Sequence, residues 1–483
     1  MKTYQDYLEV NEYNKMDFLR SLVREHMESD VYKIAKSADN YDRQKNETIC
    51  NYVQMIFNLT GERVKDFTAS NNRITSNFFH RLNTQRNTYL LGNGVSFTEH
   101  KVDTVDENGS IITTDQTKEY LGQEFDTDLK RAGYYALIHG VTFGFWNLDR
   151  LHVFPVTEFA PLWDEETGQL RAGLRFWQLD VDKPVYAVFY EEDGYTKLQS
   201  VNNEKSKGDS SFTFEIKEPK KPYKIKVQKS EVDGEEVIGE DNYGVLPIVA
   251  LYGSELKQST LVGMREKIDS FDLIRSGFAN DLTDVSQIYW ILENATGMSD
   301  NELARFRDRL KLNHIATIDA ENSKAVPYSQ DIPYQARSEY LGQIRAGIYE
   351  DFGALDVHTV AAGATNDHID AAYQPMDEEA DDYEYQIVQF IQQILALNGI
   401  EDTPVFKRNR ISNQKEQTDM VLSVADWLDD ETILNKLPFI SVDEVQSILS
   451  KKQKENADRF IVEEPNEEQQ TDNEEEEEVQ DGN

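Results

Sequence analysis

Between Lys257 and Leu292 the chain carries an apolar stripe that no proline interrupts. Leu261, Met264, Ile268, Phe271, Ile274, Phe278, Leu282 and Val285 follow one another at steps of three or four residues. Positions spaced in this way share one face of an α-helix. A helix of about 30 residues is roughly 45 Å long. Arg265, Glu266, Lys267, Asp269, Asp272 and Arg275 lie between the apolar positions and suit a solvated face. Spacing alone fits a buried helix or a coiled-coil arm.

A small α/β insert is expected next. Ser299 and Glu302 have capping-box spacing and should start a helix bearing Arg305, Arg307, Arg309 and Lys311. His314 to Ile318 reads as a short strand and Ala325 to Tyr328 as an edge segment. A second helix should open with Asp331 as N-cap and Pro333 in its first turn. Its stripe is Leu341, Ile344, Ile348 and Phe352. Gly342 and Gly347 inside it either permit close packing against a neighbouring helix or weaken this one, at about 1 kcal/mol each. From Gly353 to Asn366 follow two glycines, four alanines and few charges. A loop of this length inside a domain is usually functional or disordered.

The fold class read from the whole chain is mixed α+β, mainly helical. Residues 1 to about 135 read as helical, including Val31–Ile34 and Asn51–Phe57, and strand-like alternation runs from Ile138 to Tyr252. Asp193-Gly194 and Asp233-Gly234 mark hairpin turns there. Asp377 to Leu397 is helical again, and Val421 to Ser450 holds short helices. The 483 residues suffice for two or more domains. The single cysteine, Cys50, fits a reducing cytoplasm. Neither a signal core at the N-terminus nor a bilayer-spanning apolar run is found.

The net charge is −39, and the last residues from Glu463 are nearly all Glu, Asp, Gln and Asn, a solvated acidic tail by composition. A protein that grips DNA carries a basic patch, so this charge balance argues against an ordinary DNA-binding protein. It does not argue against a passage for DNA, because an acidic wall repels phosphates and lets the duplex slide.

Several segments, in order, resemble a known family. Asn71-Asn-Arg-Ile-Thr-Ser-Asn-Phe78 and Tyr89-Leu-Leu-Gly-Asn-Gly-Val-Ser-Phe97 come first. Gly140-Val-Thr-Phe-Gly-Phe-Trp146, Pro155-Val-Thr-Glu-Phe159 and Leu174-Arg-Phe-Trp177 follow. Then come Ile268-Asp-Ser-Phe-Asp-Leu-Ile-Arg-Ser-Gly-Phe-Ala-Asn-Asp281, Asp331-Ile-Pro-Tyr-Gln-Ala-Arg337 and Ile348-Tyr-Glu-Asp-Phe-Gly353. Together they resemble portal proteins of tailed double-stranded DNA bacteriophages, in the siphophage-type branch of Gram-positive hosts. After the loop the chain departs from the family pattern, and Pro375 is expected to break or kink the next helix.

The resemblance implies a wing over 1–256, β-rich at 138–252, and a first stem helix over 257–292. It implies a clip at 293–330, a second stem helix at 331–352 and a tunnel loop at 353–368. A wing-to-crown helix at 369–398, a helical crown at 399–460 and the acidic tail at 461–483 complete it. Stem packing falls to Leu261, Met264, Ile268, Phe271, Phe278, Leu341, Ile344 and Ile348. Val357, His358, Thr359, Val360 and Asn366 would face DNA in the channel. Arg305, Arg307, Arg309 and Lys311 would dock partners. The implied protein is a non-enzymatic, dodecameric ring at one capsid vertex of the virion, assembled in the host bacterial cytoplasm. Its implied partners are the terminase large subunit, head-completion or adaptor proteins, major capsid and scaffolding proteins and the DNA, with no membrane and no cofactor.

Other chemistry finds little support. No Gly-x4-Gly-Lys-Ser/Thr loop or His-Glu-x-x-His occurs, and no histidine pairs with Cys50 at metal-ligand spacing. Asp377, Glu378, Asp381 and Asp382 form the best candidate for a Mg²⁺ nuclease site. After Pro375 the better reading is the first turn of a helix, where acids complement the dipole. A carboxylate-dependent nuclease and a monomeric virion scaffold with a helical arm are the alternative readings.

Overall fold

The computed structural model describes residues 2–57, 61–66, 69–105, 111–180, 182–202, 212–230, 234–285, 289–293, 299, 301, 305, 324–328, 333–357, 366–410, 414–437, 440, 445, 448, 449, 451 and 452. Helix and strand are mixed. The N-terminal part holds α1 (Tyr4–Glu9), α2 (Lys15–Glu28), α3 (Asp30–Asp42), α4 (Glu47–Cys50), α5 (Phe78–Leu91), α6 (Gln116–Leu121) and α7 (Phe125–His139). It is less uniformly helical than its composition suggests. Met55–Phe57 (β1), read as helical, pairs antiparallel with Arg63–Lys65 (β2). Val95–Phe97 (β3), Lys101–Val105 (β4) and Ile111–Asp115 (β5) are further strands.

Strands dominate from residue 141 onward. Val141–Asn147 (β6), Arg150–Pro155 (β7) and Ile248–Tyr252 (β15) form an antiparallel sheet ordered β15-β6-β7. Phe159–Trp163 (β8), Leu170–Gln178 (β9), Val185–Glu191 (β10), Gly194–Asn202 (β11) and Phe212–Lys221 (β12) form a meander in sequence order. Helix α2 covers one face of it, packing Phe18, Leu22 and Val23 onto Leu162, Leu174 and Phe189. Lys224–Ser230 (β13) pairs with Gly234–Asp241 (β14).

Helix α7 ends at Gly140, in the left-handed region at φ +88°, where a Cβ would lie 2.7 Å from the backbone of Gln258 and Ser259. Only glycine lets the chain pass that close. Ser259 donates from Oγ to the Ile138 carbonyl at 2.5 Å, and Thr260 donates its amide to Leu137 at 3.0 Å. The entry to the next helix is thereby fixed against α7.

That helix, α8 (Arg265–Val285), is shorter than the 257–292 span its stripe suggests. Gly263 sits at φ +83°, outside helical space, so Leu261 and Met264 belong to the turn that leads in. At the other end Tyr289–Glu293 (β16) is a strand, held antiparallel by Lys324–Tyr328 (β17). Aromatic and branched residues there meet a ladder partner, which propensity favours over helix. Tyr334–Phe352 (α9) follows, with Pro333 at the N-cap rather than in the first turn; Asp331 lies outside the described residues.

Asn366–Ala396 (α10) runs without a break through Pro375, against the expected kink. The proline costs about 3 kcal/mol. Tyr383, Ile387, Phe390 and Ile394 on the same helix are each at most 1% exposed. At about 2 kcal/mol of burial apiece they outweigh it. They enter a core made with α5, α7 and the β6–β7 sheet, including Leu90, Leu129, Trp146 and Leu251. Pro404–Phe406 (β18) pairs antiparallel with β3.

By contacts the chain divides into two units, residues 1–100, 115–360 and 370–410 forming the first. The second takes residues 101–114, 361–369 and 411–483. Its described helices include Gln414–Ser423 (α11) and Asp430–Lys436 (α12), the latter capped by Asp429, which accepts the Thr432 amide at 3.1 Å. Among the described residues no helix is long and apolar enough to cross a membrane.

The face of α8 expected to be solvated is in part the most deeply buried. Asp272, Ser276 and Asn280 are 0%, 2% and 6% exposed. The Ser76 amide donates to Asp272 Oδ1 at 2.9 Å, Ile74 to Ser276 Oγ at 2.9 Å, and Asn72 to Asn280 Oδ1 at 2.6 Å. Two residues of extended chain advance about 6.6 Å and four residues of helix about 6 Å, so the two registers stay matched. The segment therefore runs antiparallel to α8 and donates every second amide to it. Asn46 Nδ2 also donates to Asp272.

Replacing Asp272 with Ala should strand the Ser76 and Asn46 donors and lower the unfolding free energy by about 2–3 kcal/mol in urea titrations; D272N, which keeps an acceptor, should lose less. Burial pushes the Asp272 carboxyl above its ordinary value, against the bonds from Asn46 and Ser76. A raised folded value means stability is lost as pH rises through it. The wild type should therefore lose ground to D272N as pH rises from about 4, and parallel profiles would contradict this.

Candidate functional site

The candidate site is the pair α8 and α9 with the segments at its two ends. Leu261, Met264, Ile268, Ile348, Tyr349 and Phe352 are buried together with Phe79 and Leu82 of α5. Phe271 and Ile344 are half-buried against this cluster, and Phe271 meets Phe78 edge-on with ring centroids 5.0 Å apart. Lys267 pairs with Asp351 at one end of the two helices and Asp281 with Arg337 at the other, so they run antiparallel.

Toward the β16–β17 end the cover thins. Phe278 and Leu341 are half-buried and Leu282, expected in the stripe, is 57% exposed. Leu273, Ile274, Gly277, Ala336 and Tyr340 line an open groove of about 640 Å³ together with Tyr52 and Gln54. A Cβ built on Gly277, Gly342 or Gly347 meets nothing within 4 Å. Gly342 and Gly347 therefore do not serve close packing inside this chain.

Of the loop residues singled out from sequence, Val357 is half exposed and Asn366 is the first residue of α10. His358, Thr359 and Val360 lie outside the described residues. Arg305 is helical and exposed. Arg307, Arg309 and Lys311, with the strand read at His314 to Ile318, also lie outside. Of the insert, β16 and β17 are the described strands.

The acidic cluster on α10 is engaged by its own chain. Asp377 accepts from Tyr89 Oη at 2.6 Å, from Arg408 Nη1 at 2.9 Å and from Arg410. Arg408 also reaches Asp381, and Glu384 at 3.0 Å. Asp382 accepts the Glu255 amide at 3.0 Å. Burial pushes the Asp377 carboxyl up, but the bonds from Tyr89, Arg410 and Arg408 outweigh it and hold it below the usual range. Carboxylates tied to guanidinium groups are poorly placed to converge on Mg²⁺. Among the described residues no group of three or more His, Cys, Asp or Glu is arranged to hold a metal ion.

Neither the amide ladder onto α8 nor the arginine pairs on α10 were read from the sequence. Asp272, Ser276 and Asn280 do stand four apart, a visible signal, but their partners lie about 200 residues upstream. Arg408 and Arg410 sit in a short segment with no periodic pattern.

Comparison with known proteins gives a consistent picture. The profile of the family described as phage portal protein, SPP1 Gp6-like, matches residues 22–458. The portal protein of Clostridium phage phiCD119 is 23% identical over 413 residues, covering 81% of this chain and 87% of that protein. The portal protein of Bacillus phage SPP1 is 23% identical over 417 residues, covering 80% of this chain and 76% of that protein.

Because Asp377 and Asp381 are held by arginines, purified protein incubated with linear DNA and Mg²⁺ should leave the DNA intact on a gel. Metal-dependent cleavage that D377N abolishes would contradict the assignment of these groups to structure.

Proposed function

The chain belongs to the phage portal protein family, SPP1 Gp6-like, and from that membership we propose that it works without enzymatic activity as a ring-shaped DNA passage at one capsid vertex of the virion. The ring is dodecameric. It admits DNA driven by a separate terminase, whose large subunit docks on it, and later seats head-completion or adaptor proteins. Major capsid and scaffolding proteins surround it during assembly in the host bacterial cytoplasm.

The observation that carries this reading is the antiparallel pair α8 and α9, separated in sequence by residues 286–333, which include the expected clip at 293–330, and followed by residues 353–365 before α10 opens at Asn366. Stem, clip and tunnel loop take that order in the family. Leu261, Met264, Ile268, Phe271, Ile344 and Ile348 then join the stem to the wing, while Phe278 and Leu341 lie toward its open end. The crown is residues 399–460. Arg305, Arg307, Arg309 and Lys311 suit exchangeable polar docking in the clip. The net charge of −39 suits a wall along which phosphates slide, since few cations are left to hold them.

Electron micrographs of the purified protein should show rings with a central hole; solid particles would overturn the proposal. Lysine placed at Val357, His358, Thr359, Val360 or Asn366 should add phosphate contacts and slow packaging severalfold in a motor-driven assay. Rates unchanged at every position would remove these residues from the DNA path.

A further inference from the structure

Arg86 stands on α5, with 7% of its surface exposed. A buried guanidinium is costly unless its donors are met. Its Nη2 donates to the carbonyl of Phe352, the last residue of α9. Its Nη1 pairs with Glu379 Oε2 on α10 at 3.1 Å. The guanidinium also stacks over the Phe352 ring, 4.3 Å from the centroid. Next to it, Gln85 Nε2 donates to the Leu355 carbonyl at 3.0 Å. Gly353 completes the arrangement: it lies at φ +63°, and a Cβ there would fall 2.7 Å from Glu379 Cγ. Glycine is what lets Glu379 close over the end of α9.

One planar cation thus joins the residue before position 353 to the helix that follows position 365. Both contacts come from a helix that is itself fixed in the core, since Asn87 Oδ1 accepts from Tyr383 at 2.8 Å and Tyr89 donates to Asp377 at 2.6 Å. A lysine could not reproduce this, being a point charge without a fork.

We propose that Arg86 is a positioning residue that sets the separation of the end of α9 from α10, and with it the two points between which residues 353–365 are strung. The proposal rests on the reading of that segment as the part nearest the DNA. It adds that a wing helix, and not the stem alone, determines where the segment starts and ends. Gln85 supports the same register one bond further on, and Arg345, which donates to Asp356 at 2.8 Å, ties the next residues back to α9.

The test uses the full chain with Cys50→Ser, spin labels at V357C and E378C, and labelled chain diluted into excess unlabelled chain. Pulsed electron resonance should give a narrow distance distribution, about twofold broader in Arg86→Met and in Arg86→Lys. Glu379→Gln should fall between, and it preserves the proposal's test should R86M fail to fold. Widths equal to the parent in R86K and E379Q would overturn the proposal. A melting temperature lowered without broadening would also overturn it, leaving Arg86 a purely structural residue. Packaging rates separate the two readings. Broadening together with slower packaging supports both, whereas broadening with unchanged packaging supports the clamp and removes residues 353–365 from the DNA path.

Discussion

The hydrogen bonds from the backbone of residues 72–76 to Asp272, Ser276 and Asn280 are what the rest of this structure depends on. An extended segment that lies against a helix without a strand partner must place its amides somewhere. Here a helix side supplies the acceptors at the right pitch. Each bond contributes about 1 kcal/mol net, but leaving one unmade costs about 1–3 kcal/mol, so the set is far more effective at excluding other registers than at adding stability. With this edge of α8 committed to the N-terminal region and another to α9, Leu282 remains open. The groove beside Tyr340 and the unfilled space over Gly277, Gly342 and Gly347 lie on the same pair of helices.

A second constraint is charge. A chain of net charge −39 must neutralise its acids locally wherever they are buried or crowded. It does so with a few arginines that serve several carboxylates each. Arg408 takes Asp377, Asp381 and Glu384, and Arg410 takes Asp377 and Asp370. Asp402 follows another route. Its side chain is fully buried; burial pushes the carboxyl up, but bonds from Thr117, Glu99, Thr403 and His100 hold it far below the usual range. It thereby fastens residues 98–100 beside the β3–β18 pair.

Much of this was legible in the sequence where one physical rule dominated locally. Period-two alternation found the β-rich region, although the β10–β11 hairpin turns at Glu192 and Asp193, one residue ahead of the expected Asp193-Gly194, with Gly194 pairing with Glu191. The apolar stripes found α8 and α9, and the helical reading from Asp377 found all but the first part of α10. The errors came where distant partners overrode local preference. Gly263 ends helical space ahead of α8, and β17 recruits residues 289–293 into a ladder. Pro375 stays helical because the burial of Tyr383 and Phe390 outweighs its missing donor. Asp272 looked solvated because its partners are far upstream. The candidate site was legible as a sequence of parts, and only geometry shows that α5 holds the ends of two of them through Arg86.

The central claim is that α8 is seated by a polar ladder to an extended N-terminal segment. Hydrogen exchange read by mass spectrometry on peptides covering residues 71–77 tests it most directly. The account predicts protection comparable to that of α5 and α7, lost when Ser276 and Asn280 are both changed to Ala. Exchange of these amides as fast as in an unstructured peptide would contradict it.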